Sequence, residues 1–178
     1  MNFFNDFFKR RQQTNRNIRI ILNINLTDTL FESPQIITYQ NSLRQHRTVE
    51  IKRPRGIEDG QVVSYSGLGD DAINDLRPGN LEVIYRVKND TNLTVSEKNI
   101  IKKVNINYLD LLLGTSVIVQ TISGRPLNVT IHPNTKPSTT LSIGNEGLFY
   151  FNSTRRGKML IEFKVDMPVL NEDQINTI

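Results

Sequence analysis

From Ile18 onward the sequence consists of short segments in which β-branched or aromatic residues alternate with polar ones, separated by Gly, Pro, Asn or Asp. The segments read IRIILNINL, QIITYQ, RTVEIKR, QVVSYS, LEVIYRVK, NIIKKVNIN, SVIVQTI, LNVTIH, TTLSIG and KMLIEFKVDM. Such alternation places one set of side chains on each face of a strand. Many short strands at nearly regular spacing are typical of sandwiches and barrels. We therefore predict an all-β fold.

Two segments depart from this alternation, LTDTLF at residues 26–31 and NYLDLLLG at residues 107–114. Their apolar residues recur at helical spacing, and each segment follows a predicted strand. The second segment ends at Gly114, the residue type favoured just beyond a helix. We expect one short helix at each place.

The two short helices indicate an internal repeat, because the order of strand, helix, strands and glycine-rich turn occurs twice. The prediction is two tandem β-sandwich-like domains, at residues 17–88 and 89–178, preceded by a tail at residues 1–16. Corresponding positions in the two copies are Pro54 and Pro133, residues 67–69 and 144–147, and residues 79–81 and 157–159.

The tail at residues 1–16 is basic and contains phenylalanines. The formal net charge is +4, and much of the excess lies in Lys9, Arg10, Arg11, Arg16 and Arg19. We expect a mostly disordered tail on a body with nearly no net charge. The alternative is that the Phe residues of the tail dock on a partner or in the protein's own groove. The start does not resemble a signal peptide, and no apolar run is long enough to span a membrane. We expect a cytoplasmic protein without a membrane partner.

The stretch RPRGIEDGQVVSYSGLGDD, residues 53–71, places closely spaced glycines beside cations. A phosphate-binding P-loop requires G-x-x-x-x-G-K-[ST] between a strand and a helix. No Lys-Ser/Thr follows these glycines, and strand-like sequence continues on both sides. We interpret the glycines as turn residues with no role in phosphate binding.

Catalytic residue patterns are absent from the sequence. The only histidines, His46 and His132, fall in polar connections, and there is no cysteine. No H-E-x-x-H or G-x-S-x-G spacing occurs. We interpret Asp70, Asp71 and Asp75 as a solvated loop and not as a metal site. The expectation is a protein that is not an enzyme and has no cofactor or metal.

Motifs in both halves occur in an order that resembles a known family. IRIILNINLTDTLF, VEIKRPRGIEDGQVVSYSGLGDD and RPGNLEVIYRV form the first half, and YLDLLLG, VQTISGRPLNVTIHPNTKPSTTLSIGNEG and RRGKMLIEFKVDMPVLNEDQ form the second. Over about residues 17–175 this order resembles the C-terminal, client-binding region of the DnaJ-type J-domain co-chaperones that lack a zinc-finger insertion. The resemblance implies two β-domains of the DnaJ C-terminal peptide-binding type.

The sequence also departs from that family. It contains no J domain with its His-Pro-Asp tripeptide and no Cys-rich module, and the tail looks like a remnant of the Gly/Phe linker. At the entry to the second domain, residues 93–100 (LTVSEKNI) differ from the family's motif at most positions. Longer members continue into a helical dimerisation segment where this sequence stops at Ile178. The resemblance therefore implies client binding without ATPase-stimulating activity, and we expect a monomer.

The resemblance also implies a place for the client. An all-β protein can bind an extended peptide by adding it to the edge of a sheet. By the family's pattern, the segments QIITYQ and RTVEIKR line the groove of the first domain. The predicted peptide-binding residues are Ile37, Tyr39, Val49 and Ile51, and the predicted cations that steer acidic peptides, an acidic chaperone tail among them, are Lys52 and Arg53.

An alternative for the four apolar residues is that they are ordinary core, because alternation buries one face of every strand. Under the groove interpretation, Ile37→Asp weakens client binding and leaves the protein folded. The leading hypothesis is a chaperone-like module that binds unfolded polypeptides, with a DnaK-type chaperone as a further partner. The alternatives are a structural or assembly scaffold of a phage or mobile element and, less favoured, a basic nucleic-acid binder.

Overall fold

The computed structural model describes residues 14–166 of the chain. These residues form two compact units, and the division falls between Asp90 and Thr91. Most of the predicted tail and the closing segment VLNEDQ lie outside the described residues. None of the helices within residues 14–166 is long and apolar enough to cross a membrane.

In the first unit, a three-stranded sheet faces a two-stranded hairpin. The central strand β5 pairs in parallel with β1 and antiparallel with β4, and the hairpin joins β2 and β3 in antiparallel register. The elements are β1 (Ile18–Asn25), a 3-10 helix (Thr27–Leu30), β2 (Ser33–Gln40), β3 (His46–Arg53), β4 (Val62–Tyr65) and β5 (Leu81–Lys88).

The second unit repeats this arrangement with one additional short strand. Its sheet has the order β10-β11-β7-β6, in which β11 is parallel to β7, and its hairpin joins β8 and β9. The elements are β6 (Thr94–Ser96), β7 (Asn99–Asn107), α1 (Tyr108–Leu113), β8 (Thr115–Gln120), β9 (Pro126–Ile131), β10 (Thr140–Ile143) and β11 (Met159–Asp166).

The all-β prediction is confirmed, and each predicted helix is present, but the two helices differ in kind. The first is a single 3-10 turn whose N-cap position, Leu26, provides no side-chain hydrogen bond. The second is an α-helix that the Asn107 side chain caps by accepting a hydrogen bond from the Leu109 N–H at 3.0 Å. It ends at Gly114, whose φ of 83° suits glycine.

The core of each unit lies between its sheet and its hairpin. In the first unit Leu81, Val83 and Tyr85 on β5 have no exposed surface, and residues of β2 and β3 pack against them. In the second unit Met159 and Ile161 on β11 occupy the equivalent place. Each such side chain contributes about 1.5–3 kcal/mol by leaving water. The central strand is therefore the most buried element of each unit.

The predicted correspondence between glycines is visible in the hydrogen bonds. The Gly69 N–H donates to the Gly79 carbonyl at 2.8 Å, and the Gly147 N–H donates to the Gly157 carbonyl at 3.0 Å. Both bonds close the loop that leads into the central strand. The glycines therefore recur because the same turn is built twice, which supports their interpretation as turn residues.

Two of these glycines are required by a close approach of the backbone. A Cβ on Gly79 would lie 2.5 Å from the Arg16 carbonyl carbon, and a Cβ on Gly157 would lie 2.5 Å from the Lys98 carbonyl carbon. Carbon atoms in contact normally stay about 3.5–4.0 Å apart. No side chain fits at either position.

The chain joins the first unit slightly before the predicted domain start at residue 17. Asn15 is 5% exposed, and its side-chain amide donates to the carbonyls of Ile73 and Leu76 at 3.0 and 3.2 Å. Its Oδ1 accepts from the Ile73 N–H at 3.0 Å. A buried amide is stable only with such partners, so the fold requires Asn15. Residues 1–13 of the predicted tail lie outside the described residues.

Candidate functional site

The hairpin of β2 and β3 presents different side chains on its two faces. On β2, Ile37 and Tyr39 face the sheet and are 7% and 8% exposed, whereas the neighbouring Ile36 is 75% exposed. The alternation follows from the period of two residues in a strand. The segment QIITYQ therefore has one buried apolar face and one large apolar side chain in solvent.

The predicted apolar site residues lie together on the buried face. Ile51 on β3 is 3% exposed, and Val49, directly opposite Ile37 in the register, is half-buried. All four side chains pack into the core of the first unit. The structure thus brings the four residues together and also gives them a core role. A direct role in binding stays a prediction.

The backbone of β2 has a free edge beside this face. The turn of the hairpin is closed by the Asn41 N–H, which donates to the carbonyl just before β3 at 3.0 Å. In an antiparallel pair every second residue bonds to the partner strand, so Tyr39 and Ile37 direct their backbone groups towards β3. Ile36 and Thr38 direct theirs outwards. Within residues 14–166, β2 pairs with β3 alone.

Pro34 limits this edge at its other end. It occupies an outward position of β2, opposite Lys52, and proline has no backbone N–H. Because that N–H would have pointed away from β3, the hairpin loses no hydrogen bond. A proline on an edge strand also blocks unrestricted pairing with other chains. The usable edge therefore consists of Ile36, Thr38 and their immediate neighbours.

Arg53, one of the two predicted steering cations, is not on the surface. Its residue is 4% exposed, and its guanidinium donates from Nη2 to the Asp28 carbonyl at 2.8 Å. Donors of this kind satisfy carbonyls at the end of a helical turn. The burial contradicts the predicted role of Arg53 in steering, and the structure gives this side chain a capping role.

Lys52, the other predicted cation, is exposed and forms an ion pair with Glu32 at 2.7 Å. Arg55 contacts the same carboxylate at 3.2 Å. The hydrogen bond from Lys52, together with that from Arg55, lowers the pKa of Glu32. Exposed pairs of this kind contribute little to stability. Lys52 and Arg55 share the single carboxylate of Glu32, so the net charge of this group at the end of β3 is positive.

The hydroxyl of Tyr39 fixes the hairpin to the loop that follows β4. It donates to the carbonyl of Leu68. Desolvation raises the pKa of Tyr39. The same effect, together with a 3.0 Å hydrogen bond to the Tyr65 hydroxyl, raises the pKa of Tyr85 far above its ordinary value. These phenols are therefore neutral hydrogen-bonding groups at physiological pH.

Asp70 holds the tip of the hairpin, a role that sequence alone did not reveal. Its residue is 3% exposed, so the interpretation as a solvated loop acid is wrong for Asp70. The carboxylate accepts from the Ser42 N–H at 3.2 Å, from the Ser42 hydroxyl, and from the Asp71 N–H at 3.0 Å. The hydroxyl contact lowers the pKa of Asp70. No motif distinguishes this aspartate from its neighbour, because the clamp depends on a residue 28 positions away.

We expect the Asp70 clamp to make stability depend on pH. A carboxyl whose pKa is lower in the folded state stabilises above its unfolded pKa of about 3.9. That stability is lost as the pH falls through the folded pKa. Asp70→Asn should reduce the free energy of unfolding by about 1–2 kcal/mol at pH 7, and the difference from wild type should shrink below about pH 4. Urea denaturation across pH measures this.

Asp75→Asn is the matched control, because it removes a carboxylate from the exposed part of the same loop. It should leave the unfolding free energy close to that of wild type at every pH. If both variants changed stability equally, the clamp would be refuted.

Metal-ligating side chains do not gather at this site. Among residues 14–166, no group of three or more His, Cys, Asp or Glu side chains is placed to hold a metal ion. The features that the site offers to a ligand are instead a free strand edge, an apolar layer behind it and a positive end.

Several curated proteins are similar to this chain. "Chaperone protein DnaJ" of Prochlorococcus marinus subsp. pastoris is 33% identical over 141 residues, which cover 78% of this chain and 37% of that protein. The DnaJ of Crocosphaera subtropica is 36% identical over 121 residues, covering 67% of this chain and 32% of its own length. The DnaJ of Finegoldia magna is 30% identical over 129 residues, with 72% and 34% covered.

The chain thus spans about a third of the length of these relatives. The family model described as the DnaJ C terminal domain matches residues 18–168. That match begins at the first strand and extends just beyond the last, so it includes both units and the hairpin edge. This chain belongs to the DnaJ C terminal domain family.

Proposed function

We propose that the first unit binds extended segments of unfolded polypeptides at the free edge of β2, as a chaperone's client-binding module does. The observation that carries the proposal is the edge itself, where Ile36 and Thr38 direct unpaired backbone groups outwards beside an apolar layer. The relatives are named as chaperones, which supports a polypeptide as the ligand.

The proposed binding mode is the addition of a strand. A client pairs its backbone with the outward N–H and C=O groups of Ile36 and Thr38. Its alternate side chains then lie on the inner face, next to Ile37 and Tyr39 at the margin of the core. In this arrangement the four predicted site residues form the apolar layer against which the client side chains pack. The burial of these residues is compatible with strand addition, because a client strand beside β2 would contact their side chains from the edge of the hairpin.

The energetics suit weak and unselective binding. Burying one client side chain contributes about 1.5–3 kcal/mol before the cost of ordering the peptide. Backbone pairing is independent of sequence, so it adds affinity without selectivity. The cations beside Glu32 favour clients with acidic residues near this end. A module that holds diverse unfolded chains requires these properties.

The proposed activity is binding alone. The edge and the apolar layer are sufficient to hold a client, and we assign no ATPase-stimulating step to them. A DnaK-type chaperone is the proposed partner that would receive the client.

Replacing Ile36 with proline tests the binding mode. The variant removes an outward N–H and places a ring at the edge, whereas the hydrogen bonds to β3 are kept. We expect the affinity for a fluorescein-labelled unfolded client, reduced and carboxymethylated α-lactalbumin, to fall by at least about fivefold, because a backbone hydrogen bond and edge contacts are lost. Fluorescence anisotropy measures the affinity, and circular dichroism verifies the fold.

Two controls separate the edge from the side chain. Ile36→Ala keeps the N–H and removes the exposed side chain, so it should bind more tightly than the proline variant. Glu50→Pro makes the same backbone change on the opposite edge, at the residue paired with Ile36, and should bind like wild type. Wild-type affinity of a folded Ile36→Pro variant would refute strand addition at β2.

A further inference from the structure

A second surface lies in the loop between β10 and β11, at residues 148–158, which we call the aromatic-basic loop. The loop folds back on itself, since Phe149 and Arg156 form a β-bridge and the Tyr150 N–H donates to the Arg155 carbonyl at 3.0 Å. At its tip Tyr150 is 36% exposed and Phe151 is 44% exposed. Contiguous apolar surface beside polar residues is a feature of many interaction sites.

Cations lie on the faces of two of these rings. The Arg155 guanidinium carbon is 4.6 Å from the Tyr150 ring centroid, and that of Arg156 is 4.8 Å from the Phe149 centroid. The amine of Lys98, a largely buried residue, is 5.9 Å from the Tyr150 centroid. A guanidinium stacked on a ring keeps its N–H donors in its own plane, where they can bind a carboxylate.

The charge of the loop is entirely positive. Its sequence, LFYFNSTRRGK, has three basic residues and no Asp or Glu. Of the nearby acids, Glu146 is 7% exposed and is already paired with Arg125, and Glu97 lies beside Lys98 in the turn before β7. Arg155 is exposed and is in none of the ion pairs found within residues 14–166. Its charge is therefore available to a ligand.

The turn that the two units share does not require the aromatic side chains of this loop. In the first unit the equivalent loop reads DDAINDLRPG and makes the same backbone bonds. The Asp70 N–H donates to the Arg16 carbonyl at 3.1 Å, just as the Leu148 N–H donates to the Lys98 carbonyl at 2.9 Å. The first loop performs this task with three aspartates and an exposed isoleucine, Ile73, and its Arg77 occupies the position of Arg155. The aromatic residues and the absence of Asp and Glu are therefore what distinguishes the second loop.

We propose that the aromatic-basic loop binds a short acidic segment of a partner polypeptide that also carries an apolar side chain. A carboxylate of the segment binds the Arg155 guanidinium, and the apolar side chain packs against Phe151. A single-stranded nucleic acid fits less well, because bases need open ring faces for stacking and cations already cover the faces of Tyr150 and Phe149. This surface lies in the second unit and is independent of the edge of β2.

Anisotropy with fluorescein-labelled probes tests the surface. The probes are a peptide of alternating glutamate and leucine, the same peptide with lysine in place of glutamate, and a deoxythymidine oligonucleotide. The full chain carries Ile36→Pro in every measurement, because the edge of β2 would also take these extended peptides. We expect the acidic peptide to bind this chain and the lysine peptide not to bind. Arg155→Ala should weaken the binding at least about fivefold, because a charged pair next to an apolar contact is lost.

Matched variants complete the experiment. Lys164→Ala removes another exposed cation, from β11 of the same unit, and Ile118→Ala removes an apolar side chain that is 74% exposed. Both should bind like the Ile36→Pro chain itself, whereas Phe151→Ala should bind more weakly. The proposal is overturned if Arg155→Ala and Lys164→Ala behave alike, if no acidic peptide binds, or if the oligonucleotide binds and the peptide does not. Because Ile36→Pro removes the proposed edge of β2 in every sample, a failure here is distinguishable from a failure at β2.

Discussion

Replacing Gly157 with alanine is expected to destabilise the protein by more than about 3 kcal/mol, which is at the upper end of single substitutions. The new Cβ would meet the backbone of Lys98, with the carbonyl carbon at 2.5 Å. A flexible side chain could move away from such a contact, but the Lys98 carbonyl cannot move without the backbone of the turn that leads into β7. Here the carbonyl also accepts the Leu148 N–H at 2.9 Å, so relief of the overlap would break that bond.

Gly144→Ala is the control for this prediction, because no atom lies within 4 Å of a Cβ at that position. Gly144 belongs to the same unit and begins the connection between β10 and β11 that Gly157 helps to end, so the two variants differ mainly in the overlap. Guanidinium denaturation is followed by circular dichroism. The midpoint of Gly144→Ala should be close to that of wild type, and the midpoint of Gly157→Ala should be much lower. Equal midpoints would mean that the close approach does not constrain the fold.

The sequence was sufficient for the parts of the fold that depend on local chemistry. Alternation of apolar and polar residues predicts strands, and glycine where two backbones meet predicts the loops between them. The correspondence of Gly79 with Gly157 followed from the repeat alone, and the hydrogen bonds confirm it. Such features are readable because each is encoded within a few neighbouring residues.

Sequence was not sufficient where the outcome depends on what packs against a strand. In QIITYQ both Ile36 and Ile37 are apolar, and the period of two shows only that they lie on opposite faces. Only the position of the sheet shows that Ile37 is buried. Arg53 and Asp70 were misplaced for the same reason, since their partners Asp28 and Ser42 lie 25 and 28 positions away.

The aromatic-basic loop illustrates a third case. In the sequence, Phe149, Tyr150 and Phe151 are consecutive, and their spacing does not indicate that a cation lies near them. In the folded protein the loop turns back and places the Arg155 guanidinium over the Tyr150 ring, so aromatic and basic side chains form one surface. A property that arises from such a turn cannot be read from spacing alone.

Ile37→Asp is expected to unfold the first unit or to destabilise it by about 3–5 kcal/mol, the cost of an uncompensated buried charge. This expectation differs from the one drawn from sequence alone, in which the variant stays folded and loses only its client. Ile37 is 7% exposed and packs among apolar side chains of the core, so the new carboxylate would be removed from water. Ile36→Asp, one residue away at a position that is 75% exposed, should cost little.

The pH dependence distinguishes a buried charge from a simple cavity. Burial raises the pKa of a carboxyl, so an aspartate at position 37 has a higher pKa in the folded state than in the unfolded state. Its destabilising effect should be greatest above the folded pKa and should decrease as the pH falls towards the unfolded value of about 3.9. Ile37→Ala leaves a cavity without a charge, so its destabilisation should not vary with pH in this way. If Ile37→Asp and Ile36→Asp proved equally stable at pH 7, Ile37 would not belong to the core, and its side chain would be open to a client directly.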